Sequence, residues 1–174
     1  MIFPHTALDS AAQALQLASA QAVRIATAET CTAGLVSSCL TSVPGASKTF
    51  ERGFVLYHDS AKATGLGVPE AVSRQYGAVS AEVTKGLAEG ALAHSTAGAA
   101  VAVTGYAGPG GGNEKNPVGT VYVAAARKGA ETLAERHVFS GDRDAVRMQA
   151  VGAALALLVR RLSQQAAPGG RTSP

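Results

Sequence analysis

The chain has no tryptophan, and its aromatic residues amount to only 5% of 174. A core without large rings must be filled by small aliphatic side chains, and any oligomer interface must rely on small-residue packing rather than on aromatic anchors. Cysteine is nearly missing too. Cys31 and Cys39 stand eight apart, and the four histidines (His5, His58, His94, His137) form no paired zinc spacing, so a metal site is not expected and reduced thiols are. Charged residues are sparse at 16%. The formal charge of +3 and a pI near 9.1 come from scattered Lys and Arg, with no basic cluster or aromatic-interleaved stripe. That excludes a nucleic-acid surface and leaves a small anionic ligand as the better partner. No apolar run is long enough to span a bilayer. Met1-Ile2-Phe3-Pro4-His5 lacks a basic region followed by an apolar stretch, so no signal peptide is expected and the cytoplasm is. Neither the Gly-Lys-Ser/Thr of a P-loop nor the glycine spacing of a dinucleotide-binding turn occurs.

What is abundant is small and apolar. Hydrophobic residues make up 47%, and Ala and Gly are frequent, as in layered folds where helices lie close on a sheet. The length suits one domain, expected over 1–165, with a disordered tail over 166–174. Leu8, Ala11, Ala12, Leu15 and Ala18 recur at helical spacing, with Thr6 and Asp9 as a capping box. Strands are predicted over 23–28, 50–57, 99–104, 118–126 and 132–139, the last two as a hairpin around Lys128-Gly129-Ala130. Helices are predicted over 32–43, 60–66, 69–76, from an N-cap at Ser80, and from Asp142 to about Leu162. Early alternation of strand and helix followed by a late hairpin predicts a mixed sheet with helices on both faces.

Several segments carry candidate chemistry. The strand ending at Thr104 opens into Gly105-Tyr106-Ala107-Gly108-Pro109-Gly110-Gly111-Gly112, where absent Cβ atoms let backbone N–H groups approach a ligand; a long flexible turn reads the same way. Ser47, in Pro44-Gly45-Ala46-Ser47, is either a turn residue or a nucleophile, and a serine nucleophile needs a base. The nearest later lysine is Lys62, with Tyr57 between them; it is either a solvated charge or an amine whose pKa is depressed from about 10.4. Glu29-Thr30-Cys31-Thr32 opens a helix, where hydroxyls cap N–H groups and anions bind. Cys31 there is either an activated thiol or a buried structural one. Arg143 lies in the first turn of the last helix, where the macrodipole disfavours a cation unless an anion is shared or the flanking Asp142 and Asp144 neutralise it.

Seven ordered segments resemble one family. They are Thr27-Ala28-Glu29-Thr30-Cys31-Thr32-Ala33-Gly34; Val43-Pro44-Gly45-Ala46-Ser47; Phe50 to Tyr57 with Ala61-Lys62; Gly77-Ala78-Val79-Ser80; Thr104-Gly105-Tyr106-Ala107-Gly108-Pro109; Pro117-Val118-Gly119-Thr120-Val121; and Phe139-Ser140-Gly141-Asp142-Arg143. Over residues 10–162 the chain is similar to the CinA C-terminal domain family, whose enzymatic members are nicotinamide-nucleotide amidohydrolases. The resemblance implies a three-layer α/β/α sandwich with a mixed, mainly parallel sheet. It also implies deamidation of nicotinamide mononucleotide to nicotinate mononucleotide and ammonia in pyridine nucleotide recycling, with no cofactor or metal, in a cytoplasmic homo-oligomer. Ser47 falls on the nucleophile, Lys62 on its partner, Tyr57 on the assisting tyrosine and Thr104 on the hydroxyl before the glycine loop. Arg143 falls on the arginine of Gly-Asp-Arg, with Thr30, Cys31, Thr32, Gly34, Gly105, Ala107 and Gly108 around the substrate. The chain departs from the family at Ala33, Ala46, Tyr106 and Leu56-Tyr57-His58-Asp59. These changes bear on ligand fit and remove no presumed catalytic group.

The implied mechanism is attack by Ser47 on the carboxamide while uncharged Lys62 takes its proton and later protonates ammonia. Tyr57 orients Lys62, Thr104 and loop N–H groups meet the oxyanion, and Arg143 holds the 5′-phosphate. Two other readings stand beside it: a non-catalytic nucleotide-binding or regulatory module, and Cys31-dependent hydrolysis.

Overall fold

The computed structural model describes residues 2–164; the tail expected over 166–174 lies outside them. Helix α1 (His5–Ala20) leads into β1 (Ile25–Glu29), α2 (Leu35–Thr41), a single 3₁₀ turn (Ala46–Lys48) and β2 (Phe50–Val55). Two short helices, α3 (Asp59–Leu66) and α4 (Glu70–Tyr76), precede α5 (Ala81–Ala93) and β3 (Ala99–Gly105). The hairpin β4 (Thr120–Arg127) and β5 (Ala130–Val138) then leads to the long α6 (Arg143–Ser163). The five strands lie in the order β2-β1-β3-β4-β5. β1 pairs parallel with both β2 and β3, whereas β3–β4 and β4–β5 are antiparallel, so the sheet is mixed in equal parts.

The two faces of the sheet are chemically different because side chains alternate along each strand. One face is alanine: Ala26, Ala28, Ala100, Ala102, Ala124 and Ala126 are buried against Val83, Leu87 and Ala91 of α5. The other presents Ile25, Val101, Val103, Val121 and Val123 to α1, α2 and α6, including Leu15, Leu40, Leu155 and Leu158. Each fully buried Val or Leu stabilises the fold by roughly 1.5–3 kcal/mol. Small residues also let α3 meet α5 closely. A Cβ on Gly90 would stand 2.4 Å from the Leu66 carbonyl oxygen, a distance no side chain tolerates.

Two expectations at helix starts are corrected. No capping box forms at Thr6 and Asp9; Pro4 takes the N-cap position before α1 and supplies no side-chain cap. Helix α2 starts at Leu35 rather than at residue 32, because Gly34 adopts φ +96° and turns the chain before the helix can begin. The cap expected at Ser80 does form, accepting from Val83 N at 3.3 Å, and Asp142, the expected start of the last helix, also caps it by accepting from Ala145 N at 2.9 Å.

Candidate active site

The chain leaves β1 toward β2 on one side and returns to β3 on the other. A crevice opens where the connections diverge, beyond the carboxyl ends of these parallel strands. There a cavity of about 320 Å³ is lined by Thr30 and Cys31 after β1, Tyr57 and Asp59 after β2, Lys62 on α3, and Arg143 on α6. Ala78, Val79 and the glycine loop, from Gly105 to Gly108 with Gly110, complete the wall. The volume lies at the small end of small-molecule pockets, about 300–1,000 Å³.

Lys62 is the chemical centre of this crevice. Its side chain is 5% exposed, and its Nζ donates to Asp59 Oδ1 at 2.8 Å and to the Ala78 carbonyl at 3.0 Å. Two hydrogen bonds fix the amine and leave one further position on nitrogen, in a residue that lines the cavity. Arg143 braces the opposite wall. Nη1 donates to the Gly108 carbonyl at 2.7 Å and Nη2 to the Tyr57 hydroxyl at 2.8 Å, tying the glycine loop to the end of β2.

The segment after β1 is held by a buried carboxylate. Glu29 is fully buried, and its two oxygens accept from the N–H groups of Gly34, Val36 and Ser37 at 2.9–3.0 Å and from Ser37 Oγ at 2.7 Å. A carboxylate satisfying the free N–H groups of α2 is a favourable arrangement. From the other side Arg147 Nε donates to the Cys31 carbonyl at 3.0 Å and Nη2 to that of Thr32 at 3.2 Å. Burial pushes the Cys31 thiol up to about 11, against smaller opposing effects that include the Arg147 charge. It is therefore a thiol, not a thiolate, at neutral pH.

Of the twelve residues singled out in the sequence, eight line the crevice: Thr30, Cys31, Tyr57, Lys62, Gly105, Ala107, Gly108 and Arg143. Four do not. Gly34 and Thr32 support the loop behind Thr30 and Cys31; Thr32 is fully buried and its hydroxyl has no partner among the described residues. Thr104 is also fully buried, 2.8 Å from the Thr84 hydroxyl. Thr84 donates to the Ser80 carbonyl at 2.6 Å, so in this pair the Thr104 proton must go to Thr84. Ser47 is exposed on the 3₁₀ turn before β2, in a separate surface hollow with Pro44, Gly45 and Phe50. Tyr57 and Lys62 follow the far end of that strand.

Sequence reasoning missed three residues that shape the crevice. Asp59 pairs with Lys62, and its signal was an acid three positions earlier on the same helix. Arg147 lies one turn beyond Arg143 on α6. Asn116, 5% exposed, reaches back to the Val79 carbonyl through Nδ2 at 3.2 Å while its Oδ1 accepts from Tyr122. A contact across 37 residues leaves no local pattern.

Fold and crevice together define a three-layer α/β/α protein with a polar small-molecule pocket at the strand switch point. Residues 8–162 match the family model described as CinA C-terminal domain, and the chain belongs to that family. It is 48% identical over 134 residues to the nicotinamide-nucleotide amidohydrolase PncC of Escherichia coli (strain K12), covering 77% of this chain and 81% of that protein. It is 52% identical over 129 residues to a CinA-like protein of Akkermansia muciniphila, covering 74% of this chain and 31% of the relative. The chain thus spans about a third of that longer relative's length. Among solved structures, the competence/damage inducible protein CihA from Agrobacterium tumefaciens superposes with a TM-score of 0.89 at 37% identity, over 93% of this chain and 98% of that one. No helix among the described residues is long and apolar enough to cross a membrane.

Proposed function

We propose that this protein hydrolyses the carboxamide of nicotinamide mononucleotide, giving nicotinate mononucleotide and ammonia, as a cytoplasmic step of pyridine nucleotide recycling. The observation that carries the reading is the buried, doubly hydrogen-bonded Lys62 amine in a crevice that also presents Tyr57 and Arg143. The relative named nicotinamide-nucleotide amidohydrolase supports the substrate.

The reaction runs in two halves. The Ser47 hydroxyl, which β2 holds away from Lys62 within one chain and which must therefore come from another copy in a homo-oligomer, attacks the carboxamide carbon while the free position of Lys62 Nζ takes its proton. The tetrahedral intermediate collapses, the C–N bond breaks, and Lys62 returns the proton to the departing nitrogen as ammonia. Water then attacks the acyl-enzyme, Lys62 accepts its proton, and the carboxylate product leaves with Ser47 restored. The pyridinium ring withdraws electrons from the carbonyl, which lowers the demand on the base. The N–H groups of Ala107 and Gly108 make no backbone hydrogen bond among the described residues, and they serve the oxyanion better than Thr104, whose proton goes to Thr84. Arg143 keeps further N–H groups for the 5′-phosphate beyond those it gives to Gly108 and Tyr57.

The test is purified protein with nicotinamide mononucleotide, following ammonia and nicotinate mononucleotide together. Lys62→Met should abolish both products. One observation favours the alternative of a non-catalytic nucleotide-binding module: among the described residues, no serine lines the crevice. That reading predicts a thermal shift with the mononucleotide and no ammonia.

A further inference from the structure

We propose that Tyr106 reads the charge of the ligand's ring: its aromatic face takes a cationic pyridinium beside Lys62, so the crevice prefers N1-substituted pyridinium carboxamides to neutral rings of the same shape. The proposal rests on the amidase reading above for the ligand and adds the residue that selects it. Tyr106 is held as an extension of β3, because its N–H donates to the Thr120 carbonyl at 2.9 Å and its own carbonyl accepts from Gly119 N at 2.7 Å. Alternation along that strand fixes its side. Ala100 and Ala102 face α5, and Thr104 meets Thr84 of α5 at 2.8 Å, so Tyr106 projects on the α5 side as well. Helix α3, which carries Lys62, packs on α5 there, where Leu66 comes against Gly90. Intervening Gly105 faces the opposite way, where an added Cβ would come 3.1 Å from Cys31 Sγ. Tyr106 and Lys62 therefore reach the cavity from one side of the sheet and Cys31 from the other.

Charge explains what the ring is for. Lys62 and Arg143 are the cations of the crevice wall, and among the described residues Asp59 is its one carboxylate, with Oδ1 already accepting from Lys62 at 2.8 Å. A ligand whose phosphate is held by Arg143 thus brings its pyridinium to a wall with no uncommitted carboxylate. The negative face of an aromatic ring is the remaining group that attracts such a cation. Two tyrosines line the crevice. The Tyr57 hydroxyl accepts from the Arg143 guanidinium at 2.8 Å, which places that residue beside a cation already. Tyr106 is half-buried, and its ring rests on Gly111, where an added Cβ would stand 3.1 Å from Cδ1. Gly111 has φ +84°, so this glycine both turns the loop and leaves room for the ring. A pyridinium stacked on Tyr106 gains charge–quadrupole attraction as well as ring contact, whereas a dihydropyridine or free nicotinamide gains contact alone.

The test needs no turnover. It uses 3-acetylpyridine mononucleotide, whose methyl ketone offers no C–N bond to break, and its dihydro form, which keeps the same substituents and lacks the ring charge. Calorimetric Kd values are taken for wild type, Tyr106→Phe and Tyr106→Leu. Wild type should bind the pyridinium form roughly 3- to 30-fold more tightly than the dihydro form. Tyr106→Phe should keep most of that preference, and Tyr106→Leu should bring the ratio close to one by weakening the pyridinium form alone. Equal losses of both forms in Tyr106→Leu, an unchanged ratio in that variant, or a wild type that does not distinguish the two forms overturns the proposal, as does loss of the preference in Tyr106→Phe. If the preference depends on Tyr106 while wild type releases no ammonia from nicotinamide mononucleotide, the ring slot stands and the amidase reading fails. If ammonia is released and the ratio ignores position 106, the amidase reading stands and the slot is overturned.

Discussion

Arg143 Nη2 lies 2.8 Å from the Tyr57 hydroxyl, so the arginine proposed for the phosphate and the tyrosine beside the Lys62 wall of the crevice are mechanically one unit. Their sequence separation is 86, and the link closes the crevice between α6 and the end of β2.

That coupling sets a measurable pattern. Arg143→Ala removes hydrogen bonds from a charged donor, worth about 1.5–3 kcal/mol each, so kcat/KM for the mononucleotide should fall by roughly 10- to 100-fold. KM should rise, and kcat should fall with it because Tyr57 loses its anchor. Tyr57→Phe breaks the same bond from the other side. A double-mutant cycle on kcat/KM should give a coupling of about 1 kcal/mol or more. Strict additivity would show that the two side chains act independently.

Thr104 offers a sharper choice. If its hydroxyl served the oxyanion directly, Thr104→Val would lower turnover while Thr84→Val would not. The donor order found here, Thr104 to Thr84 to the Ser80 carbonyl, makes them a buried chain whose loss costs stability first. Both valine variants should lose about 1–2 kcal/mol in chemical denaturation and show similar, modest falls in kcat. A large kcat loss confined to Thr104→Val would restore the oxyanion role.

The thiols set an alkaline limit, and Cys31 lacks the lowered pKa that a thiol mechanism draws on. Burial pushes Cys31 and Cys39 up to about 11 from an ordinary 9.0. The unfolded chain releases these protons first, so their contribution is complete below about pH 9 and is lost as pH rises toward 11. Melting temperature should drop steeply in that window, and a Cys31→Ala/Cys39→Ala variant should show a flatter profile there. Near pH 7.5, Cys31→Ala should keep its ammonia release, since burial has removed the resting thiolate that makes a catalytic cysteine reactive.

Much of the architecture was legible because its signals are local. Alternating Ala and Val in Ala99–Val103 wrote both faces of the sheet into one strand, and Ser80 marked its helix by its own capping chemistry. Eight residues that line the crevice were legible through family motifs. What stayed hidden depends on distance in space: the Asn116–Val79 contact, the Arg147 grip on Cys31 and Thr32, and the separation of Ser47 from Lys62 by the length of β2.

Ala33 tests how far the departure from the family's glycine matters. The residue adopts φ +49°, in the left-handed region, and is exposed, with its methyl outside the crevice. The substitution therefore adds strain without crowding the ligand. Left-handed backbone costs a non-glycine residue roughly 1–2 kcal/mol, while glycine costs about 0.4–1 kcal/mol through the freedom of the unfolded chain. Ala33→Gly should accordingly raise stability by up to about 1 kcal/mol, with KM for the mononucleotide unchanged. Ala22 is an internal standard: it has φ +52° at the end of α1, where Val23 N reaches the Ala18 carbonyl at 2.9 Å, far from the crevice. Ala22→Gly should give a gain of the same sign and size. If Ala33→Gly lowers KM while Ala22→Gly does not, the methyl at position 33 acts on the ligand after all, through the loop that carries Thr30 and Cys31.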